Sequence, residues 1–264
     1  MSSAPTIAIE DLCVDFDGFR AVDGVSLLML QAQLHFLIGP NGAGKTTLVD
    51  AITGLVKATG SATYNGSDLL KLKTNKIIRA GVGRTFQTAT VFEELSVLQN
   101  LDIAGGLRRS AWRLPFARRG VPAYVAEALE TIGLTRLADK PAGTLAHGQK
   151  QWLEIGMLLV QDAKVMFLDE PVAGMNADER EQTGELLRRI GSDRTIVVIE
   201  HDMEFVRNFA DWVTVMHAGR LLTAGTVDQV QADPRVQEVY LGRTATGATS
   251  EAAELAAEGM GEQS

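Results

Sequence analysis

Leu34-His35-Phe36-Leu37-Ile38-Gly39-Pro40-Asn41-Gly42-Ala43-Gly44-Lys45-Thr46-Thr47-Leu48-Val49-Asp50-Ala51-Ile52-Thr53 decides the fold. It opens with a short apolar run ending in glycine, passes through a glycine-rich loop, and continues with apolar residues at helical spacing (Leu48, Ala51, Ile52). That is strand, loop, helix. Residues 39–46 fit the pattern G-x-x-x-x-G-K-[ST]. Its glycines let backbone N–H groups curl around phosphate oxygens, and the following helix turns the positive end of its dipole toward them. Lys45 is placed to balance the β and γ phosphates and Thr46 to ligate Mg2+, with Gly39, Pro40, Asn41, Gly42, Ala43, Gly44 and Thr47 completing the contact set. The loop by itself gives nucleotide binding and leaves the reaction open.

Moving outward, residues 6–39 alternate apolar and polar in runs rich in Val, Ile and Phe, and SATYNGSDL (61–69) repeats that character, so both read as strands. From about 88 to 160 the pattern is mostly helical, with segments near 97–105, 123–133 and 148–160. Strand and helix then alternate: strand 164–169, helix 177–190, strand 194–200, a short helix after 202, strand WVTVMH (212–217) and hairpin-like GRLLTAGT (219–226). Such alternation predicts a mostly parallel sheet. Residues 244–264 hold four glutamates and no Lys or Arg among Ala, Gly, Ser and Thr, and read as a disordered or frayed tail. The expected organisation is one domain over 1–243, with a helical subdomain inserted at about 88–160, followed by that tail.

The second chemical signal is Val165-Met166-Phe167-Leu168-Asp169-Glu170, an apolar strand ending in two acids. In an open α/β sheet ligands gather at the carboxyl ends of the strands. Asp169 is placed there to hold Mg2+, and Glu170 to orient or deprotonate an attacking water.

Five motifs in order resemble those of ABC-type ATPases over residues 6–242. Beyond the phosphate loop and the acidic strand, Gly83-Arg84-Thr85-Phe86-Gln87 looks like their Q-loop, Leu145-Ala146-His147-Gly148-Gln149-Lys150-Gln151 like their LSGGQ signature, and Ile199-Glu200-His201-Asp202 like their switch-histidine loop. The resemblance implies an α/β P-loop NTPase core with a mostly parallel sheet, an N-terminal antiparallel β subdomain and an inserted helical subdomain. It also implies ATP hydrolysis with Mg2+, Gln87 as a metal sensor coupled to a membrane partner, His201 at the γ-phosphate, and Ala146, His147, Gly148 and Gln149 facing the nucleotide of a second subunit. Phe16 would stack on adenine; as an aromatic in an alternating strand it equally reads as core. Ala146 replaces the family's serine, His147 a glycine, and Asn176 an aspartate of the dimer-interface loop, so dimer closure is expected to survive but to be weaker.

The stretches 86–92, 147–154 and 169–175, with Val239-Tyr240-Leu241-Gly242, look like the importer group for branched-chain amino acids and related small polar solutes, closest to its urea members. Urea is therefore the expected solute, with branched-chain amino acids as the alternative. The implied partners are transmembrane permease subunits, a second ATP-binding subunit (self or a related paralogue) packed head to tail, and, indirectly, a periplasmic solute-binding protein, at the cytoplasmic face of the inner membrane.

Bulk properties agree. A net charge of −8 offers no field to collect nucleic acid, and the chain lacks the second nucleotide domain or basic linker of a nucleic-acid-associated relative. No run of 18 apolar residues occurs, so membrane association is expected through a partner. The single cysteine, Cys13, excludes a disulfide framework and reads as a small buried hydrophobe. Arg108–Arg119 carries five arginines with Trp112 and Phe116 and no acids; it reads as a solvated loop or a segment near anionic headgroups.

Overall fold

In the computed structural model, residues 5–86, 91–108 and 120–240 are described. Gln87, most of the arginine-rich stretch and the 244–264 tail lie outside them. Two sheets organise the rest. β1 (Pro5–Phe16) and β2 (Phe19–Leu30) form a hairpin across Asp17-Gly18, whose positive φ angles of 51° and 95° match the right-handed twist of the strands. β4 (Thr59–Tyr64) and β5 (Ser67–Asp68) extend that antiparallel sheet in the order β2-β1-β4-β5.

The second sheet has the order β10-β9-β3-β8-β7-β6. Its strands are β3 (Leu34–Ile38), β6 (Val82–Arg84), β7 (Val165–Asp169), β8 (Thr195–Ile199), β9 (Trp212–His217) and β10 (Arg220–Gly225). Only β10 runs antiparallel to its neighbour. Every residue of β3, β7 and β8 is buried, which explains their unbroken apolar runs: both faces of the sheet are covered.

One face packs against β1, β2, β4 and helix α1 (Lys45–Ile52) through Ile7, Leu12, Val22, Leu48, Ile52, Phe167 and Val197. The other packs against α6 (Ala177–Gly191) and α7 (Met203–Phe209), where Phe36 meets Phe205 edge to face at 5.8 Å. A third cluster joins α3 (Val97–Ala104), α4 (Ala123–Thr131) and α5 (His147–Val160). Helix α5 belongs to both, giving Leu153 and Val160 to the helical cluster and Ile155 and Leu158 to the sheet, and so ties the two together.

The structure adds three elements that the sequence pattern did not suggest. Helix α2 (Thr74–Arg79) buries only Ile77, and α8 (Val227–Ala232) only Val230, too little for an apolar period to show. β6 is three residues long and contains Gly83, where a Cβ would come within 2.8 Å of Leu158. Cys13 corrects an expectation: it is only half-buried, and its Sγ accepts the Gly24 N–H at 3.1 Å.

Candidate functional site

The parallel register brings the carboxyl ends of three strands side by side, since Leu37 of β3 and Asp169 of β7 both pair with Ile199 of β8. The phosphate loop leaves β3 at Gly39. A Cβ there would overlap the Met216 carbonyl oxygen, and at Gly44, φ 93° and the N-cap of α1, it would overlap that of Ala21. Glycine is thus required at both points because β9 and β2 press against the loop backbone.

Lys45 opens α1 and folds back, its Nζ donating to the carbonyls of Gly39 (2.7 Å) and Pro40 (3.1 Å). Burial lowers its pKa, and the nearby carboxylates of Glu170 and Asp169 act against that. Thr46 is exposed on the first helical turn, Thr47 half-buried and Ala43 buried, while Asn41 and Gly42 face outward.

Asp169 closes β7 at 6% exposure. Its backbone N–H donates to Thr85 Oγ1 at 3.2 Å, and burial raises its pKa against the opposing pull of Arg84. Glu170 follows with φ 50°, a left-handed conformation that non-glycine residues seldom adopt, held by its N–H donating to the Ile199 carbonyl at 2.9 Å. Its Oε1 lies 3.4 Å from Nδ1 of the exposed His201. Lys45, Asp169, Glu170 and His201 therefore come from three separate stretches of sequence and meet at one sheet edge.

Phe16 is 48% exposed at the tip of the β1–β2 hairpin, paired with the still more exposed Phe19. Its reading as core is overturned. Ala21 of the same hairpin lies against Gly44, where a Cβ would overlap its carbonyl oxygen, so β2 borders the phosphate loop.

The signature turn is gathered differently. Ala146 is the N-cap of α5, which starts at His147, one residue before the expected Gly148. Gln149 Oε1 accepts the Ala146 N–H at 3.1 Å, but the alanine methyl cannot return a bond to the Gln149 N–H, so half of the capping box is missing. A Cβ on Gly148 would meet Glu179 and Met175 at 3.3 and 3.4 Å, and one on Gly174 would meet His147 at 3.6 Å, so the turn rests on the segment leading into α6. Asn176 caps α6, its Oδ1 accepting from Glu179 N–H at 2.9 Å while the Glu179 carboxylate accepts the Asn176 N–H at 3.0 Å.

Two residues quoted within motifs but given no role prove central. Arg84, its side chain 8% exposed, pairs with Asp50 of α1, lies 3.6 Å from Asp169 Oδ2, and sits 4.7 Å above the Phe86 ring. A basic residue closing a short apolar strand was the available signal. Glu200 is 1% exposed and accepts backbone N–H groups from Val172, His201 and Asp202. Burial raises its pKa and those three donors oppose the rise. Nothing in the run RTIVVIE marks that acid as interior.

Comparison with known proteins bears on the family and the fold. The family model described as ABC transporter matches residues 22–173, and one described as branched-chain amino acid ATP-binding cassette transporter matches residues 220–246. The high-affinity branched-chain amino acid transport ATP-binding protein BraF of Pseudomonas aeruginosa is 36% identical, covering 91% of this chain and 99% of its own. LivG of Salmonella typhimurium, of the same description, is 37% identical over 91% and 99%. A probable LivG from Methanocaldococcus jannaschii is 33% identical over 88% and 96%. Among solved structures, the ADP conformation of an ATP-binding cassette of an ABC transporter superposes with a TM-score of 0.80 at 30% identity, covering 91% of this chain and all of that one. A dimeric post-hydrolysis cassette shares the fold at 0.71 and 20% identity, over 84% and 98%. On this sequence and this geometry, the chain belongs to the ABC transporter family as an ATP-binding subunit, a family whose members hydrolyse ATP to drive transport.

Proposed function

We propose that this chain hydrolyses ATP to power an importer of branched-chain amino acids. The convergence of Lys45, Asp169, Glu170 and His201 at one sheet edge carries the hydrolytic part. Lys45 and the N–H groups of residues 39–44 hold the phosphates, Glu170 takes the proton of the attacking water, and His201 orients the γ-phosphate. Phe16 receives the adenine. Thr46, exposed on the first turn of α1, and the carboxylate of Asp169 are oxygen donors that would suit Mg2+; Gln87, the third expected ligand, lies outside the described residues. Among the described residues no cluster of three or more His, Cys, Asp or Glu offers a separate metal site. When bound, the ion screens charge on the β and γ oxygens.

The sequence reading put urea first and branched-chain amino acids second; the BraF and LivG relatives and the match over 220–246 support the reverse order. Among the described residues no helix is long and apolar enough to cross a membrane. The likeness to transport ATP-binding proteins supports placing the chain on the cytoplasmic side against permease subunits. A cavity of about 260 Å3 is lined by Leu55, Ile78, Phe86 and Met157, with Leu55 49% and Phe86 43% exposed, and offers an apolar seat for a permease helix. A second ATP-binding subunit packs head to tail, so that residues 146–149 of each chain face the other's nucleotide, and a periplasmic binding protein delivers solute to the permease.

The test is uptake by vesicles holding the assembled transporter, with leucine against urea, and with Lys45→Ala in parallel. Leucine uptake that needs ATP and vanishes with Lys45→Ala supports the whole reading. ATP-dependent uptake of urea alone overturns the solute, and unaltered ATP affinity of Lys45→Ala in calorimetry overturns the phosphate-loop assignment.

A further inference from the structure

Glu170 and His201 sit on segments 31 residues apart in sequence, and their 3.4 Å approach needs something to hold it. Two ties do so. One is the backbone bond from Glu170 N–H to the Ile199 carbonyl at 2.9 Å. The other is Glu200. Its Oε1 accepts the Val172 N–H at 3.3 Å, two residues past Glu170, while its Oε2 accepts the N–H groups of His201 at 3.0 Å and Asp202 at 3.3 Å. The far side of the histidine turn is fixed as well, since Asp202 caps α7 through Glu204 and Phe205 and pairs with Arg180 of α6 at 2.7 Å.

An interior carboxylate is costly unless donors surround it. Here three backbone donors do, and they belong to two chain segments. A hydroxyl with one oxygen would satisfy only one of those segments, whereas a carboxylate has an oxygen for each. At 1% exposure Glu200 cannot reach a water on the nucleotide, whereas the Glu170 side chain at 25% can. Its Oε2 also lies 4.0 Å from His201 Nδ1, so it faces the same ring as Glu170 from within.

We propose that Glu200 is a positioning residue for hydrolysis: by bridging the loop after Glu170 to the turn carrying His201, it sets the geometry of that pair without touching the nucleotide. The proposal rests on the roles assigned above to Glu170 and His201. Misplacement of a catalytic group by a fraction of an ångström costs on the order of tenfold in rate. The phosphate loop is untouched, so nucleotide affinity is spared.

The experiment is a double-mutant cycle on the full chain in its assembled transporter, comparing Glu200→Gln, His201→Ala and the pair by single-turnover ATP hydrolysis and equilibrium ATP binding. In Glu200→Gln an amide NH2 faces backbone donors on one side of the bridge. Turnover is expected to fall about tenfold with ATP affinity within about twofold, and the same change made in His201→Ala adds no further loss. If Glu200→Gln does not fold, Glu200→Asp keeps the charge, withdraws the oxygens by one carbon, and enters the same cycle with the same expectation. Full-strength slowing on top of a slow His201→Ala overturns the proposal alone, as does an unchanged turnover or a loss of ATP affinity in step with turnover. A His201→Ala protein with normal turnover overturns the reading of the site and this inference with it.

Discussion

His35, in the middle of β3, is 1% exposed. Its Nε2 is 2.7 Å from Thr214 Oγ1, and its buried Nδ1 has no hydrogen-bond partner among the described residues. An imidazolium must donate from both nitrogens, so the fold admits only the neutral ring, and burial lowers the pKa from 6.5 to about 4. Above the unfolded value neither state is protonated and stability is at its full level. As pH falls below 6.5 the unfolded chain takes up a proton that the native chain refuses, and each pH unit removes about 1.4 kcal/mol until the folded value is passed. Between pH 7 and pH 5 the loss from this one ring is about 2 kcal/mol. Glu200 and Asp169, whose pKa values are raised by burial, act in the opposite sense, because the native state then holds the proton more tightly as pH falls. They are common to both proteins in a comparison of the wild type with His35→Gln, which keeps a hydrogen-bonding side chain and cannot titrate. Urea unfolding at the two pH values should show the wild type losing about 2 kcal/mol more than the variant. Equal losses would refute the argument and require that the ring be hydrated or bonded at Nδ1.

Three further perturbations follow from single contacts. Gly184→Ala drives a methyl into the Phe209 ring; the gain in helix propensity of about 1 kcal/mol falls short of the strain, about 1–3 kcal/mol, so the thermal midpoint should drop, and a rise would show that α7 can yield. Arg84→Met leaves Asp50 and Asp169 without their shared guanidinium, and chemical denaturation should register a loss of about 3 kcal/mol. Ala146→Ser completes the capping box with Gln149 and should stabilise the free subunit by about 1 kcal/mol; a gain seen only with ATP present would place the hydroxyl on a partner's phosphate and not on its own helix.

The sequence by itself determined the phosphate loop, the acidic strand, the strand–helix alternation and the order of the five motifs. Each is a local property: glycine where the chain must turn closely, apolar runs where both faces are covered, a polar residue ending each run. Helices at 97–104, 123–131 and 147–160 were legible for the same reason, because each carries its own apolar period. Only the tertiary structure decided that Phe16 stands clear of the core, that Arg84 lies between Asp50 and Asp169, and that Glu200 is an interior acid joining Val172 to His201. Those facts depend on which strands become neighbours. The register that aligns Leu37, Asp169 and Ile199 is set by packing over long sequence separations, where no spacing in the chain records it.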